Sequence, residues 1–248
     1  MAGHSHWAGI KHKKALIDNK RGKLWGKLSK LIIVAAKMGG PDPTQNLKLR
    51  YAIDDAKAAN MPNDTIDRAI KKGAGELDAD NFEEIVYEGY GPGGVAVMCE
   101  ILTDKRTRTA PEIRKIFEMA DGKLGATNCV AWIFDRKGMI LVPAAEQDED
   151  ALMELALENG AGDFKREGDV FEITCEVGDF EGLKAALAEA ETPMESAQIT
   201  CIPSNTVDVD GETGRKVIKL LEILDDHDDV QQVYANFNMP EEAMSESE

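Results

Sequence analysis

Basic side chains are concentrated near the N-terminus, where they could contact phosphate groups. Several of them recur at i, i+3, i+7 and i+10 from Lys20, which places them along one side of a helix beside an apolar stripe. Cationic side chains neutralise phosphates and release counterions, the main source of sequence-independent affinity for nucleic acid. The candidate phosphate contacts are Lys11, Lys13, Lys14, Lys20, Arg21, Lys23, Lys27 and Lys30.

A second basic cluster consists of Lys105, Arg106 and Arg108. It stands just before a predicted helix start at Thr109, where Glu112 completes a capping-box pattern. Free backbone N–H groups and the helix dipole favour an anion at such a position, so these three side chains are further candidate contacts to nucleic acid. The alternative is that these side chains pair with acidic residues of the same protein.

The distribution of charge favours nucleic acid as the partner, although the net charge is −17. Residues 1–75 carry 15 Lys and Arg against 6 Asp and Glu, whereas the remaining residues have a net charge of −26. Such asymmetry indicates that one part of the chain meets a polyanion. A solvated lysine face is the alternative, and it is weakened because Asp18 is the one acidic residue among the first 38.

Other chemistries find little support in the residue patterns. The segment Gly89–Gly94 matches a dinucleotide-binding pattern, but an alternating strand follows it, so a hairpin turn is expected and no cofactor. His4 and His6 lack further ligands for a metal, and the aspartates at 225–229 are typical of a solvated helix end. No nucleophile set carries a sequence signature. The sequence therefore predicts a protein that is not an enzyme, with no catalytic residue, no bound metal and no small-molecule substrate.

The cysteines and the hydropathy pattern favour a cytoplasmic protein, and the basic, acid-poor N-terminus leaves a mitochondrial transit peptide as the alternative. Cys99, Cys129, Cys175 and Cys201 are too sparse for a disulfide framework and are predicted to be free thiols in a reducing compartment. The longest apolar run, residues 31–36, is far shorter than the roughly 20 residues of a membrane span, so no membrane contact is expected.

The hydrophobic period changes along the chain and defines the predicted architecture. Residues 1–78 show helical periodicity, with Leu24, Leu28 and Ile32 on the inner face of the first helix. Beyond residue 82 the period falls to two, and strands and helices alternate. The predicted class is a multidomain α+β protein: an N-terminal helical bundle and two related ferredoxin-like domains, each β-α-β-β-α-β, one inserted in the other.

The predicted boundaries follow from these elements. The basic helical domain covers residues 1–78, and the inserted domain covers 136–203. The outer α+β domain is discontinuous, with residues 79–135 and 204–239; it includes a strand at 130–134 and another at 206–210. Residues 240–248 form an acidic tail, predicted to be disordered.

Several long strings closely resemble the YebC/PmpR family. They include AGHSHWAGIKHKK, NMPNDTIDRAIKKGAG, YEGYGPGGVAV and LTDKRTRTAPEIRKIF, and the likeness extends from residue 2 to about residue 239. The family comprises probable transcriptional regulators, with organellar relatives that act as translational activators. His6, Gly9, Lys105 and Thr107 depart from its usual residues but leave the basic character intact.

The resemblance implies a helical domain followed by two α+β domains, and no enzymatic activity. It implies DNA binding and transcription regulation in bacteria, and elsewhere association with the ribosome and relief of stalled translation. Two functions therefore compete: a DNA-binding transcription regulator, and a translation factor that binds ribosomal RNA. Both use the same basic surface, so the sequence leaves the choice open.

Overall fold

The computed structural model describes residues 21–78, 81–145 and 147–239, without the side chain of Arg21. Contacts divide these residues into two compact units. The inserted unit is Trp132–Thr206, and the outer unit contains the residues up to Ala131 and those from Val207 onward. The outer unit thus holds both the helical part and the first α+β part. Whether the predicted domains fold separately stays a prediction.

Among the described residues of the helical part there are three helices: α1 (Arg21–Gly39), α2 (Leu47–Ala58) and α3 (Asn63–Gly73). Their apolar faces meet in one core around Ile32, Leu49 and Ala56. Buried Asn46 caps α2 by accepting from the Leu49 N–H at 3.1 Å, and it donates to the Ala35 carbonyl of α1 at 2.8 Å. This side chain therefore ties the start of α2 to the end of α1. Leu24, predicted to face inward, is exposed, because the core begins one turn later at Leu28.

The outer α+β part is built on an antiparallel hairpin of β1 (Glu83–Tyr90) and β2 (Ala96–Thr103). A 3-10 turn at Pro92–Gly94 joins the strands, so the glycine-rich segment is a hairpin turn, as predicted. Gly93 adopts a φ of 70°, and a β-carbon there would lie 2.8 Å from Thr213. Only glycine combines this backbone conformation with so close an approach.

Two helices cover one face of the outer sheet: α4 (Arg106–Met119) and α7 (Gly211–Asp225). The sheet adds β3 (Lys123–Leu124) and β9 (Val230–Ala235) in the order β3-β1-β2-β9. A separate parallel pair joins β8 (Val207–Asp208) to β10 (Phe237–Asn238). The core between helices and sheet includes these fully buried residues: Val97, Cys99, Ile113, Phe117, Leu220, Leu221 and Leu224.

The prediction of a strand at 130–134 is wrong. Residues Ala131–Ile133 form a 3-10 turn, and the next strand begins only at Phe134. The cause is the buried carboxylate of Glu88, which accepts the backbone N–H groups of Asn128, Val130 and Ala131 at 2.7–2.8 Å. These donors are thereby satisfied without a neighbouring strand.

The inserted unit has the element order β-α-β-β-α-β. It comprises β4 (Phe134–Pro143), α5 (Glu149–Glu158), β5 (Ala161–Glu167), β6 (Val170–Glu176), α6 (Phe180–Glu189) and β7 (Ser196–Pro203). The strands are antiparallel in the order β5-β6-β4-β7. One sheet face packs on α6, where a β-carbon on Gly138 would collide with Phe180 at 2.5 Å. The class is therefore mixed α+β with two antiparallel four-stranded sheets.

The ends of the inserted unit lie side by side, which predicts that the segment can be removed. Phe134 on β4 pairs with Pro203 on β7, so the two are about 5 Å apart across an antiparallel pair. Replacing residues 132–206 by a short glycine-serine linker should leave an outer unit with a cooperative urea transition, measured by circular dichroism.

Deletion of residues 207–239 is the contrasting variant. It removes β9 from beside β2 and α7 from the core of the outer unit, so we expect no cooperative transition from that unit. Equal loss of folding in both deletions would show that the insertion does not behave as a separate domain.

Glu172 on β6 introduces a pH dependence into the inserted unit. Its side chain is buried, and no hydrogen-bond partner for Oε1 lies among the residues that the structure describes. Burial raises the pKa of Glu172 to about 7, and the neighbouring Glu167 adds to the effect. Between about pH 4.3 and pH 7, the Glu172 side chain is therefore protonated in the folded protein. In the unfolded chain, where its pKa is about 4.3, it has already lost this proton.

We predict that stability falls as the pH rises from about 4.3 to 7, because between these values the folded state binds more protons than the unfolded state. Glu172→Gln should remove this loss, which is on the order of 3 kcal/mol over the whole interval. Urea unfolding at pH 5 and pH 8 measures it, with the exposed Glu158→Gln as control. The same pH dependence in wild type and Glu172→Gln would contradict the assignment.

Candidate charge-paired junction and nucleic-acid interface

The carboxyl end of α7 concentrates negative charge. Four aspartates, Asp225, Asp226, Asp228 and Asp229, follow within the last residue of the helix and the turn after it. The last carbonyl groups of a helix lack intrahelical donors, and the helix dipole makes this end partly negative. Carboxylates are unfavourable there unless cations lie close by. In this protein α1 supplies the cations.

Three lysines of α1, spaced i, i+4 and i+7, reach the end of α7. Lys23 Nζ lies 3.0 Å from the Asp226 carboxylate, and Lys27 Nζ lies 4.0 Å from that of Asp225. The three amines also donate to backbone carbonyls: Lys23 to Asp226, Lys27 to Asp225 and Lys30 to Asp228. The lysines therefore cap α7 from outside. We call this contact the lysine–aspartate junction.

Asp229 is the most buried member of the junction, with a side chain 4% exposed. One carboxylate oxygen accepts from Lys30 Nζ at 2.8 Å. The other accepts from Arg108 at 2.7 Å and from the hydroxyls of Thr109 at 2.8 Å and Thr103 at 3.1 Å. Burial disfavours the charged form, but these hydrogen bonds outweigh it and hold the pKa of Asp229 well below its ordinary value.

The backbone of Asp229 is held as firmly as its side chain. Its carbonyl accepts the Leu102 N–H at 2.8 Å, and its own N–H donates to His227 Nδ1 at 3.1 Å. Since Nδ1 of His227 is an acceptor, the ring proton is on Nε2, which lies 3.1 Å from Glu112 Oε2. The end of β2, the start of α4 and the turn after α7 thus converge on one residue.

The start of α4 differs from the prediction, and the reason is Asp229. The helix begins at Arg106, three residues before the expected capping residue Thr109. The Thr109 hydroxyl binds Asp229 instead of capping the helix, and Thr109 is fully buried. Arg108 pairs with Asp229 and, at 2.9 Å, with Asp104, and these contacts raise the pKa of its guanidinium. The alternative foreseen for this cluster, pairing with acidic residues, therefore holds for Arg108.

The other predicted phosphate contacts are distributed as follows. Lys11, Lys13, Lys14 and Lys20 lie outside the described residues, and Arg21 is placed only by its backbone. Lys105 and Arg106 are exposed at the start of α4. A solvated face does not describe Lys27 and Lys30, whose side chains are only 12% and 20% exposed. The phosphate contacts of all these residues stay a prediction.

Sequence reasoning missed the acidic half of the junction. The aspartates at 225–229 were interpreted as a solvated helix end, yet three of their side chains meet lysines of α1. A signal was present: four carboxylates at the negative end of a helix need cationic partners, and the lysine stripe has the matching spacing. Among residues 21–78, 81–145 and 147–239, no group of three His, Cys, Asp or Glu side chains is arranged to hold a metal ion.

The cysteines and the helices add two findings. All four cysteines are free thiols, as predicted, and Cys99 and Cys175 are buried. Burial raises the pKa of the Cys99 thiol, which keeps it protonated. Within the described parts of the chain, no helix is both long and apolar enough to cross a membrane.

The chain belongs to the TACO1/YebC family. The family model of the TACO1/YebC protein N-terminal domain matches residues 5–76. The model of the TACO1/YebC second and third domain matches residues 82–237. The resemblance seen in the sequence motifs is thereby confirmed.

Similar proteins occur in distant bacteria. A "probable transcriptional regulatory protein" of Natranaerobius thermophilus is 56% identical over 98% of this chain and 99% of its own length. One of Rhodopirellula baltica is 55% identical over 99% of this chain and its full length. The crystal structure of a conserved hypothetical protein from Aquifex aeolicus matches with a TM-score of 0.85 and 52% identity, covering 96% of this chain and 98% of that one.

The contacts of Asp229 lead to a testable prediction for the stability of the protein. Asp229→Asn removes the charge that Lys30 and Arg108 share, so we expect a loss of about 2–4 kcal/mol in the free energy of unfolding at pH 7. Because the folded-state pKa is lowered, the wild-type advantage is present above about pH 4 and shrinks as the pH falls further. Urea unfolding at pH 7 and pH 3 measures both effects.

The neighbouring Asp228→Asn is the matched control, because the Asp228 side chain is exposed and its carbonyl, which is unchanged, makes the contact with Lys30. It should alter stability by less than about 0.5 kcal/mol. Equal effects of the two substitutions would show that the Asp229 network contributes nothing specific.

Proposed function

We propose that this protein is a non-enzymatic, cytoplasmic transcription regulator that binds DNA through its basic N-terminal domain. The observation that carries the proposal is the charge distribution: residues 1–75 have a net charge of +9 in a chain of net charge −17. The names of the relatives from Natranaerobius thermophilus and Rhodopirellula baltica support a regulatory role. Phosphate contacts of this kind give affinity without sequence information.

The lysine–aspartate junction supports a choice among the candidate side chains. Lys23, Lys27 and Lys30 already have intramolecular partners. The first contacts are therefore expected from the lysines at positions 11–20, together with Lys105 and Arg106. The lysines that we propose as DNA contacts in this segment are Lys11, Lys13, Lys14 and Lys20.

The test replaces those four lysines by glutamine and measures binding to a 20-base-pair duplex between 50 and 200 mM salt. About four lost phosphate contacts should reduce the slope of log affinity against log salt by roughly 3–4. The loss should be the same on unrelated sequences, because phosphate contacts carry no base information.

The control removes four positive charges elsewhere, on exposed or partly exposed helix surfaces of both units. The control positions are Lys115, Lys184, Lys216 and Lys219. An equal change of slope in both variants would contradict a specific N-terminal interface. Tighter binding to a structured ribosomal RNA fragment than to any duplex would favour the ribosome-associated alternative.

A further inference from the structure

The lysine–aspartate junction joins the basic and acidic parts of one protein. We propose that it is an autoinhibitory contact, in which Asp225 and Asp226 occupy lysines of α1 until the phosphates of DNA displace them. This inference rests on the proposed function, since it describes how the same basic surface is regulated. It concerns Lys23 and Lys27, whose partners Asp226 and Asp225 are 42% and 34% exposed, while the Lys27 side chain itself is 12% exposed.

The end of α7 places carboxylate and carbonyl oxygens beside lysine amines, where the phosphate oxygens of a nucleic acid could also bind. Lys23 Nζ lies 3.0 Å from a carboxylate oxygen of Asp226 and 3.2 Å from the carbonyl oxygen of the same residue. Lys27 donates to the carbonyl of Asp225, and its Nζ lies 4.0 Å from the carboxylate of the same residue, an ion pair longer than a hydrogen bond. An anionic oxygen within hydrogen-bond reach of an ammonium group is also the geometry of a lysine–phosphate contact. Aspartate and phosphate therefore compete for the same amines.

Solvent exposure separates the exchangeable pairs from the structural one. The Lys23 and Asp226 side chains are 49% and 42% exposed, whereas Asp229 is 4% exposed and has four donors. Exposed ion pairs contribute little net stability, because water solvates both charges once they separate. DNA carries one negative charge per about 1.7 Å of its axis and is a much denser anion than two aspartates. Phosphate can thus replace Asp226 and then Asp225 while Asp229 keeps Lys30.

The exchange has a thermodynamic signature in the salt dependence. When a lysine trades a carboxylate for a phosphate, the counterion released from DNA is offset by a cation that returns to the aspartate. Such lysines add affinity but little salt dependence. Without the aspartates, each lysine should add about 0.9 to the magnitude of the slope of log affinity against log salt.

The test is the double variant Asp225→Asn, Asp226→Asn in the full-length protein, with a 20-base-pair duplex as the probe. Asparagine keeps the size and removes the charge, so we expect roughly tenfold tighter binding and a slope steeper by up to about 2. The control is Glu154→Gln, Glu158→Gln on the exposed face of α5, which changes the net charge by the same amount. It should leave the slope unchanged and tighten binding less than twofold.

A second measurement follows the contact itself. Saturating the wild-type protein with the duplex should accelerate amide hydrogen exchange at 225–227, where the lysine contacts are lost. Residues 228–231, which keep Lys30, and the buried part of α7 around Val217 and Leu221 should stay protected. Unchanged exchange at 225–227 in the bound protein would overturn the proposal. Equal tightening by the double variant and its control would also overturn it, and both results would leave DNA binding intact. Failure of the wild type and of every variant to bind duplex would refute the proposed function and, with it, the autoinhibitory contact.

Discussion

The buried carboxylate of Asp229 is the interaction on which the arrangement of the outer unit depends. It receives hydrogen bonds from α1, from the end of β2 and from the start of α4, three elements far apart in the sequence. A buried charge is tolerated only when it is paired and hydrogen-bonded, and here both carboxylate oxygens have donors. The same condition makes the site demanding. If one donor is displaced, a buried oxygen of the Asp229 carboxylate loses a hydrogen-bond partner at a poorly solvated site.

The junction also explains how a strongly basic helix and a strongly acidic body coexist. Negative side chains at the end of α7 oppose the helix dipole, and a row of lysines on α1 would repel itself if it stood alone. Each surface supplies the charge that the other lacks. Contact between the lysines of α1 and the aspartates after α7 offsets both unfavourable charge distributions. The outer edge of this junction remains open to water and to competing anions.

Much of the fold could be predicted from the sequence, because its signals are local. The three helices of the N-terminal part follow from apolar spacing and from stop signals such as Gly39-Gly40-Pro41, and the hairpin follows from alternation around Gly89–Gly94. The element order of the inserted unit was likewise evident. The errors arose where a distant side chain took over a local role. Glu88 holds the backbone at 128–131 out of a strand, and Asp229 draws Thr109 from its expected capping position.

The candidate site was half predicted for the same reason. The basic residues were visible as a stripe, but their partners lie about 200 residues away in the chain, and spacing alone does not reveal which acidic cluster a lysine meets. The choice between phosphate and aspartate depends on tertiary contact, and in this protein the two ligands resemble each other. A basic stripe thus indicates an affinity for anions, whether the anion belongs to a partner or to the chain.

The pairing of Phe134 with Pro203 means that the chain enters and leaves the inserted unit at neighbouring points. During synthesis, the outer sheet therefore stays incomplete until its last strand, β9, has been made. Thr103 precedes Asp229 by 126 residues, so at about 5–20 residues per second the ribosome delivers the carboxylate roughly 6–25 s after the hydroxyl that binds it. Meanwhile the inserted unit emerges whole and can close its own sheet. Until β9 and the aspartates before it have been synthesised, one edge of β2 and the lysines of α1 lack their final partners. The nascent outer unit is therefore the folding intermediate most prone to mispairing and to binding by chaperones.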